Sequence, residues 1–287
     1  MAGRTCVLTG ASSGIGLAGA IALARLGATM VLVCRNLSRG EAALAQVADA
    51  AAADAGRPEL ELADLASLSQ VRDLARRLAR RPRIDVLINN AGLVLGRRQL
   101  TEDGCEQTFA VNHLAPFLLT NLLLPVLTAS APARVITVSS VAHRFALLNF
   151  DDLQLERGYL PMRAYANSKL ANVLFTRELA RRLEGSAVTA NCLHPGTVRT
   201  HFGDTGAGWL RLGLAVAGAF LRTPESGAAA TVFLASSPAV TDRTGGYYVS
   251  GRLRRPSRAA RAEDRARRLW NISANLTGIA RFDPQNP

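Results

Sequence analysis

The sequence predicts an α/β fold: a single domain built on a doubly wound, mainly parallel sheet of seven strands with helices on both faces. Two observations support this prediction. Short apolar runs alternate along the 287 residues with stretches in which apolar residues recur at i, i+3 and i+4. The apolar runs are also continuous, which is typical of parallel strands covered on both faces. No internal repeat, linker or second domain is indicated.

The predicted strands are apolar segments of four to six residues, and helical patterns separate them. In chain order the strands are Thr5–Thr9, Thr29–Cys34, Glu59–Leu62, Ile84–Ile88, Arg134–Val138, Val188–Leu193 and Gly246–Val249. The helices begin near Gly16, Ser38, Ser67, Gly104, ahead of Tyr165 and at Pro224. Pro116 lies inside the helix predicted from Gly104 to Thr128, where it should kink the helix or free a backbone carbonyl.

Composition narrows the class of protein. Apolar residues make up 48 % of the chain, enough for a substantial core. The four cysteines lack C-x-x-C spacing and the four histidines lack H-x-x-x-H spacing, so neither a disulfide nor a metal site is expected. Met1 leads directly into a strand, and the late apolar run Leu212–Leu221 is too short to span a bilayer. A cytoplasmic protein without a transmembrane span is therefore expected.

The C-terminal region carries much of the positive charge. From Arg252 to Pro287 there are nine arginines and three acidic residues, which account for half of the formal net charge of +12. A basic tail can attract nucleic acid or anionic lipid. This tail lacks the interleaved aromatic residues of a single-strand binder, so a solvated, arginine-rich surface helix is favoured and no nucleic-acid partner is expected.

Tyr165 and Lys169 lie four residues apart, and Lys169 is the only lysine in the chain. On a helix such residues share a face, with Cβ atoms about 5–6 Å apart. A nearby cation favours the phenolate and should lower the tyrosine pKa from its usual ~10. A tyrosine tuned in this way can pass a proton to or from an alcohol oxygen. Arginine does not easily replace the compact ammonium of lysine, so the retained lysine favours function over an ordinary exposed pair.

A glycine-rich segment joins the first strand to the first helix. Gly10, Gly14 and Gly16 follow the spacing G-x-x-x-G-x-G rather than the more usual G-x-G-x-x-G. Glycines let the backbone turn tightly and approach a pyrophosphate bound at the helix N-terminus. Alone this is weak evidence, since a structural turn would explain it as well.

Five motifs follow one another in a characteristic order, each at a strand end or on the next helix. They are T-G-A-S-S-G-I-G (Thr9–Gly16), N-N-A-G (Asn89–Gly92), Ser139-Ser140, Tyr165-x-x-x-Lys169 and Pro195-Gly196. Together they resemble the short-chain dehydrogenase/reductase family from about Arg4 to Gly251. Further similarity to its retinol dehydrogenase-like branch lies in Val138–Phe145, Ser168–Ala180, Arg268-Leu269-Trp270 and the separation of 25 between Ser140 and Tyr165. The resemblance implies a Rossmann fold and a nicotinamide cofactor.

The resemblance also implies four catalytic residues. Tyr165 is the expected general acid/base, and Lys169 is expected to lower its pKa and hold the nicotinamide ribose. Ser140 is expected to hydrogen-bond the substrate oxygen, and Asn112 to hold a water that relays protons to Lys169. Ser140 is preferred to Ser139 because the second serine of the family's pair is the catalytic one, and strand alternation turns the two to opposite faces.

The cofactor is expected to be NADP(H). An acidic residue at the end of the second strand would accept hydrogen bonds from a ribose 2′-hydroxyl, but Arg35 stands there, 19 residues after Gly16. Its planar fork suits a 2′-phosphate, although a merely solvent-facing arginine remains an alternative. The implied cofactor-binding residues are Gly10, Ser12, Ser13, Gly14, Ile15, Gly16, Arg35, Asp64, Leu65, Asn89, Ala91, Gly92, Tyr165, Lys169, Pro195, Gly196, Val198 and Thr200.

A hydrophobic substrate is expected, admitted by a loop over residues 197–223. Trp209 and Phe220 lie there among apolar residues and glycines that suit a mobile lid. The alternative is that these residues pack on the core or meet another subunit, which leaves a homodimer open. His143 and Ser140 complete the expected substrate contacts, although a structural role is the alternative for each histidine.

The predicted organisation is a catalytic domain over residues 1–251 and a basic extension over 252–287, packed on the core or trailing from it. The predicted function is an NADP(H)-dependent oxidoreductase acting on a carbonyl or alcohol of a hydrophobic substrate such as a retinoid, steroid or lipid aldehyde. A ketoreductase of secondary metabolism is one alternative. A nonenzymatic nucleotide-binding scaffold on the same fold is another.

Overall fold

The computed structural model describes residues 1–196 and 223–279. Its centre is a sheet in the order β3-β2-β1-β4-β5-β6-β7-β8, parallel throughout except between β7 and β8. The strands are β1 Thr5–Thr9, β2 Thr29–Cys34, β3 Glu59–Leu62, β4 Val86–Asn89, β5 Ala133–Val138, β6 Val188–His194, β7 Tyr247–Val249 and β8 Arg252–Arg254. The predicted doubly wound α/β fold is confirmed.

The strand count was wrong by one, and a tight turn explains the difference. After β7 the chain reverses at Ser250 and Gly251, both with positive φ (51° and 73°), and returns as β8. Two consecutive residues of positive φ are what a type I′ hairpin turn requires. The Ser-Gly pair therefore ends β7 in a hairpin, and the sheet has eight strands.

Helices cover both faces of the sheet, and each face has its own apolar core. Helices α1 (Gly14–Arg25), α2 (Leu37–Ala50) and α6 (Pro224–Ser236) contribute residues such as Leu23, Val47 and Leu234 to one core. The opposite core is formed by α3 (Leu68–Leu78), α4 (Gln107–Ala129), α5 (Pro161–Arg182) and α7 (Glu263–Thr277). The four cysteines are free and buried.

Helix α4 contains a π-helical turn at Ala110–Leu114, immediately before the α-helical stretch that begins at Ala115. Pro116 lacks an N–H, so it supplies no α-helical donor to the carbonyl four residues earlier, that of Asn112. The irregularity that Pro116 predicts in this helix is therefore the π-helical turn just before it. Among the described residues, α4 is also the one helix long and apolar enough to cross a membrane, but 89 % of its most apolar 18-residue window is buried, as in a core helix.

Helix α7 packs on the core, so the expectation of a solvated tail helix holds for only one of its faces. Trp270 is buried, with its ring centroid 4.9 Å from that of Phe117 and 5.9 Å from that of Phe175. The guanidinium of Arg182 lies 4.4 Å from the same indole ring. The arginines of α7 occupy its outer side, where Arg268 pairs with Asp151.

Candidate active site

The strand order reverses between β1 and β4, because β1 continues to β2 and β3 on one side while β4 continues to β5 on the other. In open parallel sheets, ligands bind in the crevice at the carboxyl ends of the strands that flank such a reversal. The glycine-rich loop follows β1 and the N-N-A-G segment follows β4. Two of the predicted motifs therefore meet at this crevice.

Ser140 and Tyr165 come together beside the crevice. Ser140 follows β5 directly, and its hydroxyl oxygen accepts a hydrogen bond from the backbone N–H of Ala142 (3.2 Å). The Tyr165 side chain on α5 lies beside the same hydroxyl, and its interaction with Ser140 acts to lower the tyrosine pKa. Ser139 points the other way: it is buried, and its hydroxyl donates to the backbone carbonyl of Lys169 (2.8 Å). The alternation places Ser140, not Ser139, beside the tyrosine.

Lys169 lies one turn beyond Tyr165 on the same helix, with its Nζ 5.6 Å from the tyrosine ring centroid. The ammonium donates to the carbonyl of Val138 (3.1 Å), which also accepts from Nδ2 of Asn172 (3.3 Å). Burial lowers the pKa of Lys169 to about 8, so the side chain is mostly a cation at neutral pH.

Asn112 lies inside the π-helical turn and is fully buried. Its Oδ1 accepts from the N–H of Leu93 (2.8 Å), and its Nδ2 donates to the carbonyl of Leu93 (3.0 Å) and to Oγ of Ser168 (2.9 Å). The side chain thus joins α4, the segment after β4 and α5. Its backbone carbonyl has no α-helical donor at Pro116, and its expected role in holding a water stays a prediction.

The pKa of Tyr165 departs from the expected direction. Burial raises it, and the interaction with Ser140 opposes part of that rise. The predicted lowering is not seen in this structure, because desolvation of the phenolate is the largest influence on the Tyr165 pKa. Tyr165 therefore holds its proton at neutral pH, which is the form that can donate to a carbonyl oxygen.

The glycines of the first loop are needed for close approach and for backbone conformation. A Cβ on Gly16 would lie 2.1 Å from the carbonyl oxygen of Gly10, and one on Gly10 would lie 2.9 Å from Cα of Ala91. Gly14 has a φ of 55°, and a Cβ there would have no atom of the described residues within 4 Å. The loop thus packs tightly against the segment after β4 and leaves its outer side clear.

Helix α1 begins at this loop without a side-chain cap. Its N-cap, Ser13, is exposed and makes no capping hydrogen bond, whereas Asn36 and Ser67 cap α2 and α3 with their side chains. The first N–H groups of a helix are strong donors and favour anions. Ser12 is half-buried in the same loop, and Ile15 is half-buried at the first turn of α1. The N-terminus of α1 is therefore suited to bind a phosphate group.

The side chains of Thr9 and Asn90 hold the glycine-rich loop in place by hydrogen bonds. Neither residue was among the predicted site residues. Asn90 Nδ2 donates to the carbonyls of Thr9 (2.9 Å) and Gly10 (3.3 Å). Oγ1 of Thr9 accepts from the N–H groups of Asn90 (3.0 Å) and Ala91 (3.1 Å). Asn89 was predicted to line the cofactor, but its buried Nδ2 donates to Thr120 of α4 instead (2.9 Å). Strand alternation turns Asn89 into the core and Asn90 toward the loop.

Arg35 lies at the same edge of the sheet as the glycine-rich loop and is exposed. The loop is held to the end of β2 by a hydrogen bond from the N–H of Gly10 to the carbonyl of Val33 (2.9 Å). The N–H of Ala11 lies 3.5 Å from the same carbonyl, and Ser12 acts to lower the pKa of the Cys34 thiol, which burial raises. Arg35 therefore follows directly on the residue that contacts the loop, with its guanidinium accessible to a ligand.

The remaining predicted cofactor residues occupy neighbouring strand ends. One carboxylate oxygen of Asp64, after β3, accepts from the N–H of Ala66 (3.0 Å), while Leu65 turns its side chain into the core. Pro195 and Gly196 follow β6 and are half-buried. The other predicted residues, Val198, Thr200, Trp209 and Phe220, lie outside the described residues, as does the loop over 197–222.

His143 does not contact the crevice as predicted. Its ring is 1 % exposed and both nitrogens are engaged: Nδ1 with the carbonyl of Ser140 (2.7 Å) and Nε2 with the N–H of Ser257 (3.2 Å). The ring also packs edge-on against Tyr247 at 4.9 Å. The prediction failed because Ser257, far along the chain, supplies a partner that no local pattern reveals.

Comparison with known proteins agrees with this geometry. A family model described as short chain dehydrogenase matches residues 4–207. Retinol dehydrogenase 14 of Homo sapiens is 43 % identical over 298 residues, covering 97 % of this chain and 88 % of the relative. Retinol dehydrogenase 13 of Homo sapiens is 42 % identical, with 96 % and 85 % covered. Dehydrogenase/reductase SDR family member 13 of Bos taurus is 44 % identical, with 96 % and 74 % covered.

Solved structures share the fold. An uncharacterised protein of Mycobacterium paratuberculosis is 39 % identical with a TM-score of 0.79, covering 96 % of this chain and 94 % of that chain. The RhlG/NADP active-site complex of Pseudomonas aeruginosa is 28 % identical with a TM-score of 0.70, covering 87 % and 95 %.

Proposed function

Because this chain belongs to the short-chain dehydrogenase family and is a retinol dehydrogenase-like oxidoreductase of hydroxyl or carbonyl groups, we propose that it uses NADP(H) on hydrophobic substrates. The observation that carries the proposal is the placement of the Tyr165 side chain beside that of Ser140, with the cation of Lys169 one helical turn away. Two hydroxyls that can hold one oxygen atom, beside a buried ammonium, form a site for proton transfer to that oxygen. A cytoplasmic location stays a prediction.

The chain's own residues account for the proton chemistry of a reduction. NADPH, when bound, supplies the hydride that reduces the carbonyl carbon. The phenol of Tyr165 donates its proton to the carbonyl oxygen as negative charge develops there. The hydroxyl of Ser140 holds the same oxygen by a hydrogen bond. Lys169 stabilises the tyrosinate that is left, and a water on the Asn112 carbonyl returns a proton through Lys169.

The residues at the crevice fit a dinucleotide. The uncapped N–H groups of α1 and the clear space outside Gly14 would hold the pyrophosphate. Gly92 leaves room for the end of Lys169, which would bind the ribose. Arg35, exposed beside the glycine-rich loop, would pair with a 2′-phosphate. The bound NADP in the RhlG complex belongs to a relative of the same fold.

A hydrophobic substrate is supported by the surface beside the two hydroxyls. Val141 follows Ser140 and is exposed, as is Phe145 four residues later. Met162 is exposed on α5 three residues before Tyr165, a spacing that puts both on one side of the helix. Apolar side chains therefore flank the proton donor. The names of the relatives suggest a retinoid, and a steroid or lipid aldehyde has the same apolar character.

The test is a turnover assay with the full chain, NADPH and a panel of carbonyl compounds. The panel holds retinal, a steroid ketone, a long-chain aldehyde, a β-keto thioester and a small polar ketone, and turnover is followed by the loss of NADPH absorbance. We expect the first three to have the highest kcat/KM. The Tyr165→Phe protein, prepared in parallel, controls for contaminating reductases.

Two results would overturn the proposal and favour a named alternative. Tight NADPH binding without turnover of any compound would indicate a nucleotide-binding scaffold. Preference for the β-keto thioester over the three apolar carbonyls would indicate a ketoreductase of secondary metabolism.

A further inference from the structure

His143, three residues after Ser140, links that serine to the C-terminal extension through hydrogen bonds. The carbonyl of Ser140 accepts two hydrogen bonds from His143, one from its N–H (3.2 Å) and one from Nδ1 of its ring (2.7 Å). On the opposite side of the ring, Nε2 lies 3.2 Å from the backbone N–H of Ser257. One buried ring thus bridges the carbonyl of Ser140 and a segment more than a hundred residues away.

The two partners define the protonation state of the ring. A carbonyl only accepts, so Nδ1 carries the proton; a backbone N–H only donates, so Nε2 carries none. This is the neutral Nδ1–H tautomer. The burial of the ring lowers the pKa of His143, which favours the same neutral form. If Nε2 were protonated, its N–H would face the N–H of Ser257, and the hydrogen bond between His143 and Ser257 would be lost.

Other hydrogen bonds hold the C-terminal extension near Ser257 in place, so Ser257 can fix the position of the His143 ring. Nη2 of Arg144 donates to the carbonyl of Arg255 (2.8 Å), two residues before Ser257. The Ser257 hydroxyl accepts from the N–H of Ala260 (3.3 Å). Further along, Oγ of Ser273 on α7 lies 2.8 Å from Nε2 of the buried His113, the neighbour of Asn112. The extension therefore contacts the segment of Ser140 and, through His113, the segment of Asn112.

We propose that His143 is a positioning residue: it orients Ser140 through the serine carbonyl, and the backbone of Ser257 in the C-terminal extension fixes the ring that does so. This inference rests on the proposed function, because it gives Ser140 a substrate oxygen to hold. It assigns the extension a part in catalysis that neither its charge nor its sequence pattern suggests. A shift of the serine hydroxyl by ~1 Å can reduce turnover by as much as about 100-fold.

The test separates the two hydrogen bonds of the ring. In His143→Asn the amide Nδ2 can still donate to the carbonyl of Ser140, while the acceptor for Ser257 is lost. In His143→Gln the longer amide can accept from Ser257, while the donor to Ser140 is lost. We expect both variants to lower kcat: His143→Gln at least about tenfold, because the donor to Ser140 is lost, and His143→Asn by more than about threefold, because Ser257 no longer fixes the side chain, since misplacement by ~1 Å acts on the chemical step. The Kd for NADPH, measured by fluorescence titration, should stay within about twofold in both.

Two controls test whether a loss of kcat simply reflects a loss of folded structure. One is the Tm of each variant, and the other is a variant that is destabilised far from the site. Val47→Ala, in the core under α2, should lower Tm without lowering kcat, because it removes buried apolar volume far from Ser140. Spectra of ¹⁵N-histidine-labelled protein should show His143 as the Nδ1–H tautomer, a readout independent of turnover.

Three results would overturn the inference: kcat retained in either His143 variant, kcat losses that simply follow Tm across all three variants, or an Nε2–H tautomer in the wild type. A wild-type chain that turns over no carbonyl compound would instead refute the proposed function, and the two failures are thereby distinguished.

Discussion

A Cβ on Gly92 would lie 3.1 Å from Nζ of Lys169 and 3.4 Å from Oδ1 of Asn112. Both atoms are already held, the first by the carbonyl of Val138 and the second by the N–H of Leu93. The missing side chain of Gly92 therefore keeps two of the predicted catalytic residues in place.

We expect Gly92→Ala to lower kcat/KM by about tenfold, because displacements of a fraction of an ångström at reacting groups act on the barrier. Gly19→Ala is the matched control. A Cβ on Gly19 in α1 would meet its nearest neighbours at 3.8 Å, an ordinary contact, so activity should be retained. The measurement is steady-state kinetics on both variants, and equal kinetics would show that the space beside Gly92 is not needed.

Tyr165→Phe should abolish measurable turnover while leaving the Kd for NADPH nearly unchanged. The variant keeps the ring and removes the proton donor, and general acid–base groups contribute ~10²- to 10⁴-fold. Lys169→Arg should be severely impaired as well, because a planar guanidinium does not fit the place of the ammonium. Turnover of a true substrate near the wild-type rate by either variant would contradict the assigned chemistry.

Arg35→Asp should reverse the cofactor preference from NADPH to NADH. The change removes the partner of the 2′-phosphate and adds a repelling carboxylate. A hydrogen bond between charged groups is worth ~1.5–3 kcal/mol, which corresponds to roughly 10- to 100-fold discrimination. Arg39→Asp, exposed four residues further on in α2, tests whether any nearby charge has the same effect. A wild-type chain that uses NADH as efficiently as NADPH would refute the prediction.

Lys169→Met should change how stability depends on pH. Burial lowers the folded-state pKa of Lys169 to about 8, while an unfolded lysine titrates near ~10.4. Between these values the unfolded chain binds more protons, so the lysine makes wild-type stability rise with pH, by at most about 1.4 kcal/mol per pH unit. Below pH 8 both states are protonated and this contribution is flat.

Denaturant unfolding of wild type and Lys169→Met between pH 7 and 9.5 measures this difference, because the cysteines and tyrosines that also titrate there are the same in both proteins. We expect the wild type to gain on the variant as the pH rises above 8. Parallel curves would show that Lys169 is not desolvated in the folded protein.

Local patterns were sufficient for the elements that carry the chemistry. Continuous apolar runs located the central strands, because buried parallel strands have no polar alternation, whereas the edge strand Glu59–Leu62 alternates glutamate and leucine. The glycine spacing located the loop before α1. The same alternation that separates Ser139 from Ser140 also distinguishes Asn89 from Asn90, but it was applied only to the serines. The turn at Ser250 and Gly251 likewise signalled a hairpin that was not recognised.

Other features depend on distant parts of the chain and have no local signal. The environment of His143 is set by Ser257, which reaches the ring only after the whole sheet has formed. The raised pKa of Tyr165 depends on how deeply α5 is buried, whereas the spacing to Lys169 reveals only that a cation is near. Spacing predicts which groups meet, and burial then decides in which protonation state they meet.

The two outermost strands of the sheet have a consequence for self-association. At one edge, Arg252 and Arg254 are exposed on the three-residue β8. At the other, Glu59 and Glu61 of the four-residue β3 are paired with Arg81 and Arg77 of the adjoining segment. A second molecule that added a strand at either edge would have to bury guanidinium groups or break these ion pairs, and short charged edge strands are known to resist such pairing. Sheet-to-sheet polymerisation is thereby disfavoured, and contact between copies is directed to helical faces and loops.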